Sequence, residues 1–495
     1  MQLMSTVNLN AANAVPGTPL STRREMISRR SFFQHTSGGI LGAALAATLA
    51  EDLYAEEHKN LERHIYDLKP RPSHFTAPAR SVIHLFMNGG PSQMDLFDPK
   101  PDLDKQHGKS FFEKIAGEVE SPGNAGALMK TPFKFAQHGH SGMWMSQLMP
   151  HLATCADDIA LIRSMFTTNL THEPALFKIH SGQELPGLPT LGAWVSYGLG
   201  TVNQSLPSYV VLADPGGLPV NRTQNWQAGF LPPVYQGTRF RASGSPVLDL
   251  KQEFEEPQSI TALERNLIGQ LDRLHQKQRS SRPELGARIA SYELAARMQL
   301  AASNALDLSQ ETSDTLRNYG VGQSPTNSYG RRCLIARRLV ERGVRFVQLF
   351  VNFQPWDNHG NLIGGLKSIC NQTDQPIAAL IKDLKQRGLL DSTLLVWGGE
   401  FGRLPIAQGK NGRDHNKNSM VSWLAGGGIK GGVTHGTTDE IGYSAADNKV
   451  SVEDWHATIL NQLGLDYRKL AFYRNGLEEK LTGVTQPRVV KELIA

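Results

Sequence analysis

Six short apolar runs, rich in β-branched residues, punctuate the chain at 81–87, 158–163, 208–212, 344–351, 393–396 and 420–424. Their brevity, their nearly unbroken hydrophobicity and the turn residues around them predict strands buried on both faces. Helices are expected between them, at about 146–156, as a short segment ending at His180, near 191–199, at 374–387, and from Glu453 onward. Strands alternating with helices predict an α/β fold, a doubly wound and mostly parallel sheet covered by helices. Residues 99–145 carry many Gly and Pro and few periodic runs, and read as a long excursion over the active face.

Between about 259 and 342 the period changes. Leu263, Leu267, Leu271 and Leu274 follow helical spacing, and Leu285, Ile289, Leu294 and Met298 do so more loosely. This predicts a helical insertion packed against the sheet. The domain proper is then expected over 80–495, preceded by a polar linker or arm at 51–79 that contains Pro70, Pro72 and Pro78.

The first 50 residues have a different logic. Ser28-Arg29-Arg30-Ser31-Phe32-Phe33 precedes an apolar, small-residue run from Gly38 to Ala50, and Glu51 and Asp52 follow it. A basic segment, a short apolar segment and a small-residue exit make a signal peptide, and the Arg pair makes it one of the twin-arginine type. Thirteen apolar residues are too few for a transmembrane helix, which needs about 20. A periplasmic or otherwise extracytoplasmic location is therefore expected, with no transmembrane segment.

Charge changes the picture little. The chain carries +5, and residues 1–50 hold four Arg and one Glu, or +3, leaving +2 for the remainder. No basic stripe marks a nucleic-acid partner. Cys155, Cys333 and Cys370 are widely spaced, form no Cys-x-x-Cys pair, and read as buried, inert thiols.

The chemistry concentrates at strand ends. Trp356-Asp357-Asn358-His359-Gly360 follows one predicted strand, Trp397-Gly398-Gly399-Glu400-Phe401-Gly402-Arg403 ends another, and Gly412-Arg413-Asp414-His415-Asn416 comes soon after. Open α/β sheets bind ligands outside the carboxyl ends of their strands, and carboxylates and imidazoles gathered there can hold a divalent ion. Asp357, His359, Glu400, Asp414 and His415 are the metal-ligand candidates, with Asp95 in the Gly-rich loop after the first strand. A solvated turn competes for Asp414-His415, and a packing role competes for His456. Arg403 is placed to grip an anionic oxygen in two-pronged fashion. His172 and Glu173 stand before a helix whose N-terminal dipole favours an anion. No Gly-x-Ser-x-Gly elbow or phosphate-binding Gly-Lys-Ser/Thr run occurs.

In this order, Met87-Asn88-Gly89-Gly90-Pro91-Ser92-Gln93-Met94-Asp95, Ile162-Arg163-Ser164-Met165, Thr171-His172-Glu173-Pro174, Trp397 through Arg403, Ala425-Gly426-Gly427-Gly428 and His456-Ala457-Thr458-Ile459-Leu460 resemble the exported, sulfatase-like family called domain of unknown function 1501. The resemblance implies an alkaline-phosphatase-like fold, whose relatives hydrolyse phosphate and sulfate monoesters with bound metals. The run that resembles the sulfatases' Cys/Ser-x-Pro-x-Arg is here His172-Glu173-Pro174-Ala175-Leu176. It lacks both the nucleophile and the Arg, so a formylglycine sulfatase is not expected. The phosphatases' late Asp-His pair appears as Glu400 without its His, and Asp414-His415 is the candidate source of that imidazole, to be decided by spatial proximity.

The expected function is an exported, metal-dependent hydrolase of a small-molecule or polysaccharide ester of phosphate or sulfate. One or two divalent ions (Zn, Ca, Mg or Mn) would be held by Asp95, Asp357, His359, Glu400, Asp414 and His415. Thr171 or a water would attack, His172 would serve as ligand or base, and Arg403 would steady the anion. The competing reading is a non-catalytic binding protein that keeps the fold.

Overall fold

Among the described residues the central sheet has nine strands, five of them with every residue withdrawn from water. In chain order they are β1 (Ser81–Phe86), β2 (Ile159–Phe166), β3 (Tyr209–Leu212), β4 (Thr238–Arg239), β5 (Phe346–Phe350), β6 (Thr393–Gly398), β7 (Met420–Ala425), β8 (Val433–His435) and β9 (Val450–Ser451). All side chains of β1, β3, β5, β6 and β7 are buried, so both faces of the sheet are covered. A computed structural model describes residues 67–243, 247, 258–278 and 283–495. The described residues belong to one compact unit, Ile65–Ala495. The expected signal peptide and the start of the arm lie outside the described residues.

The spatial order is β8-β2-β7-β6-β1-β5-β3-β4, with β9 also pairing with β2. Pairing is parallel except that β7 runs antiparallel to both neighbours, β6 and β2. The mostly parallel sheet predicted from the sequence is therefore present, interrupted by one reversed strand. Parallel register sets up the site: Phe86 at the end of β1 stands opposite Phe350 of β5 and Gly398 of β6. Three adjacent strands thus release their loops at one level, outside their carboxyl ends.

The longer helices are α1 (His172–Ser181), α2 (Leu191–Leu199), α3 (Gln258–Gln278), α4 (Pro283–Leu306), α5 (Asn327–Glu341), α6 (Leu362–Gln386) and α7 (Val452–Gln462). Helix α7 begins with a capping box, Ser451 and Asp454 satisfying each other's backbone N–H groups. Two expectations need correction. The helix expected at about 146–156 is instead the end of a hairpin strand, Met143–Ser146, followed by a 3₁₀ segment, Leu152–Asp158. The insertion is helical, but α3 does not bury its leucines: Leu263, Leu267, Leu271 and Leu274 are 56–70% exposed. Leu294 and Met298 of α4 do join the core. The described part of the arm lies against the domain, with Arg71 N–H donating to the Leu199 carbonyl and Leu68 and Ala79 buried. Cys155, Cys333 and Cys370 are buried and free, as their spacing suggested.

Candidate metal centre

Three loops meet over the ends of β1, β5 and β6, and glycine allows the contact. Gly89 has φ +113°, and a Cβ there would lie 2.6 Å from the Asp357 backbone nitrogen. A Cβ on Gly412 would likewise collide with the His359 carbonyl. The loop after β6 turns at Glu400-Phe401 into a two-residue strand, Gly402–Arg403, antiparallel to His415–Asn416. That pairing carries His415 back beneath the strand ends.

Asp357 is the hub. Its Oδ1 lies 2.8 Å from His359 Nε2, 3.1 Å from His415 Nε2 and 2.6 Å from Arg403 Nη2. Its Oδ2 lies 3.4 Å from His172 Nε2, a buried nitrogen with no hydrogen-bond partner among the described residues. Ligand atoms of His172, Asp357, His359 and His415 all fall within 4.8 Å of one another.

The far side of each imidazole decides its tautomer. His415 Nδ1 is 2.7 Å from the Leu170 carbonyl, which only accepts, so Nδ1 carries the proton. His172 Nδ1 meets Glu400 Oε1 at 2.8 Å, and His359 Nδ1 meets Gln408 Oε1. Each ring therefore spends its Nδ1–H on an oxygen and turns Nε2 toward Asp357. An oxygen acceptor behind a histidine is the usual outer support of a metal-binding imidazole. Three lone pairs and a carboxylate facing one another repel unless a cation lies among them. Without a metal, protons take that part. Burial alone would push the His172 pKa down, but the Asp357 and Glu400 carboxylates outweigh it and raise it to about 9. Hydrogen bonding to Asp357 raises His359 as well. Burial would raise Asp357, yet His172, His359, His415 and Arg403 hold it well below the usual carboxylate range.

The remaining sequence-derived assignments fare differently. Glu400 is fully buried, its Oε1 also accepting from Gly89 N–H at 2.9 Å. It stands behind His172 and belongs to neither group of clustered ligand atoms. Asp95 is a correction. It is saturated by Arg413 (Nε–Oδ2 2.7 Å, Nη2–Oδ1 3.3 Å) and by Ser92 Oγ at 2.5 Å, away from the cluster. Arg403 is a second correction. Its guanidinium is 1% exposed and donates to the Gly89, Gly90 and Arg413 carbonyls and to Asp357. It serves as a buried counter-ion, with no free fork for a substrate. Asp414 sits in an overlapping group with Glu120, His359 and His415. Its oxygens accept from Ser121 and His415 N–H groups, so it forms an outer layer. Thr171 is the N-cap residue of α1, and its side chain makes no capping bond. His456 is a packing residue, fully buried, with Nε2 2.8 Å from the Ile179 carbonyl.

Three contributors had no sequence signal. Glu120 approaches His415 Nδ1 at 2.5 Å from the Gly/Pro-rich excursion, which lowers the Glu120 pKa through that hydrogen bond. Gln408 and the Leu170 carbonyl are unremarkable in sequence.

A family described as "Protein of unknown function (DUF1501)" matches residues 79–494. The chain belongs to this family. No curated protein matches it. Among solved structures, the DUF1501 chain is similar to the lipoteichoic acid synthase LtaP from Listeria monocytogenes (9% identity, 86% of this chain and 82% of that one, TM-score 0.37). It is also similar to the PsFucS1 sulfatase from Pseudoalteromonas sp. (11% identity, 86% and 71%, TM-score 0.33). A third is the phosphonate monoester hydrolase SpPMH from Silicibacter pomeroyi (10% identity, 78% and 73%, TM-score 0.32). Likenesses of this size assign neither a substrate nor a residue role.

Proposed function

We propose that His172, Asp357, His359 and His415 hold a divalent metal ion and that the protein is an exported, metal-dependent hydrolase of phosphate or sulfate esters. The observation that carries this reading is the orientation of the three imidazoles. Each has its Nδ1 tied to an oxygen and its Nε2 turned to one carboxylate. Three imidazoles and a carboxylate suit zinc better than calcium, magnesium or manganese, which prefer all-oxygen sites. Such an ion, once bound, would polarise the ester group as a Lewis acid.

The chain's own residues do the rest. Glu400 and the Leu170 carbonyl lock the His172 and His415 rings, so their Nε2 atoms stay aimed at the site. Arg403 holds Asp357 ionised. Gly89 lets the β1 loop close over the Asp357 backbone. Hydrolysis adds water across the ester, breaking the O–P or O–S bond, and the alcohol leaves with one proton. Thr171, the residue before His172, is the proposed side-chain alternative to water as the attacking group. Export by the twin-arginine route belongs to the same reading, and Arg29→Lys with Arg30→Lys is expected to retain the precursor in the cytoplasm. Normal export of that variant removes the route.

The test is elemental analysis of purified protein, followed by phosphate and sulfate monoesters offered to metal-loaded and chelator-treated samples. Stoichiometric zinc and chelator-sensitive hydrolysis are expected. Metal-free protein after zinc supplementation and dialysis refutes the centre. A second reading, a metal-dependent binder without turnover, is favoured by one observation: Arg403 is fully committed within the protein. Stoichiometric metal with no hydrolysis across both ester classes selects it.

A further inference from the structure

A cavity of about 510 Å³ opens next to the metal centre. Its lining includes Leu218, Val220, Asn221, Arg222, Phe353 and Gln354. Two backbone ties join it to the cluster. The Gln354 carbonyl accepts from Asp357 N–H at 3.0 Å. Asn221 Nδ2 donates to the carbonyl of Glu173, the neighbour of His172, at 2.8 Å.

Its backbone is strained. Described non-glycine residues with positive φ number five, and three of them line this cavity: Asn221 at +63°, Arg222 at +45° and Phe353 at +39°. A left-handed bulky residue is an outlier, and such strain persists where the surroundings enforce it. Here Asn88 Nδ2, from the loop after β1, donates to the Phe353 carbonyl. The Phe353 ring lies on Gly217, where a Cβ would meet it at 2.5 Å, yet the residue stays 61% exposed.

The polar groups complete the pattern. Arg222 is exposed and makes no ion pair among the described residues. Gln354 Nε2 is buried without a hydrogen-bond partner among the described residues. An aromatic face, two amides and a free guanidinium in one cavity match a hydroxylated ring that carries an anion. We infer that this cavity binds an acidic sugar ring, its apolar face on Phe353, its hydroxyls on Asn221 and Gln354, its anionic substituent on Arg222. The inference rests on the hydrolase reading for its purpose, since it makes an acidic saccharide the substrate class, but binding itself needs no metal.

The test therefore uses the full chain stripped of metal, with glucuronate, glucose and benzoate as probes in saturation-transfer NMR titrations. Glucuronate is expected to bind about tenfold more tightly than glucose or benzoate, the difference a charge-assisted hydrogen bond supplies. Arg222→Gln should reduce glucuronate to the level of glucose, and Phe353→Ala should weaken both sugars about fivefold. Both side chains are exposed, so neither variant threatens the fold. Glucuronate no tighter than glucose, benzoate equal to or tighter than glucuronate, or affinities unmoved by either substitution would each overturn the assignment. Failure of the metal reading shows instead in elemental analysis, and leaves these titrations unaffected.

Discussion

Replacing Asp95 by Asn separates a structural carboxylate from a metal ligand. Asp95 and Arg413 both have fully buried side chains and meet at 2.7 and 3.3 Å. Asn keeps the shape but removes the charge that compensates a guanidinium with no access to water. Breaking one side of such a pair costs about 3–5 kcal/mol. Arg413 keeps the Leu404 and Met129 carbonyls as acceptors, which places the expected loss near the lower end. Against a total stability of about 5–15 kcal/mol, that loss is large. With an m-value near 5 kcal/mol/M in guanidinium chloride, the unfolding midpoint should fall by roughly 0.6 M. Metal stoichiometry in the folded variant should be unchanged, because no Asp95 oxygen joins the cluster. Asp95→Leu combined with Arg413→Met should recover roughly half of the loss, since an apolar pair of similar volume leaves no buried charge. An unchanged midpoint refutes the buried-charge argument. A folded variant that has lost its metal makes Asp95 a ligand after all.

Glu400→Gln retains an acceptor for His172 Nδ1 but removes the charge behind it, and metal affinity should fall about 10–100-fold. Competition with a chromogenic chelator measures this, and an affinity within twofold of the parent protein would deny Glu400 that part. A second expectation concerns acid. His84, His180 and His456 are fully buried, and burial holds all three below the ordinary histidine value, His84 at about 3 and His456 at about 4. They stay neutral in the folded state while the unfolded chain takes up protons below pH 6.5, so stability is retained above that pH and lost as pH falls from 6.5 toward 4. Each contributes a slope of about 1.4 kcal/mol per pH unit in that window. Denaturant melts of His84→Gln between pH 6 and 4.5 should show a slope shallower by that amount, and an identical slope would mean that His84 is protonated in the native protein.

Part of the candidate site is legible in the chain. Hydrophobic runs long enough for a strand and bounded by turn residues identify β1, β5 and β6, because burial on both faces leaves no room for polar positions. The polar, glycine-rich runs that end them were legible for the same reason, since Asp357 and His359 have no packing role that explains their composition. His415 shows in the sequence only as an imidazole in a polar loop, and its approach to Asp357 depends on a two-residue antiparallel pairing with no sequence signature.

Partnership was decided by the tertiary structure alone. Asp95 and Arg403 look alike in sequence as candidate chemistry, one a carboxylate near glycines and the other a guanidinium after a strand. Which buried charge neutralises which depends on loops about 300 residues apart in the chain, Asp95 meeting Arg413 and Arg403 meeting the Gly89 and Gly90 carbonyls. Local sequence cannot encode that choice, because a charge excluded from water takes whatever opposite charge the fold delivers within reach. The same holds for Glu120 beside His415 and for the leucines of α3, which have helical spacing but no core beneath them. Periodicity determines which element forms and which residues share a face. What that face meets is set by the arrangement of the other elements.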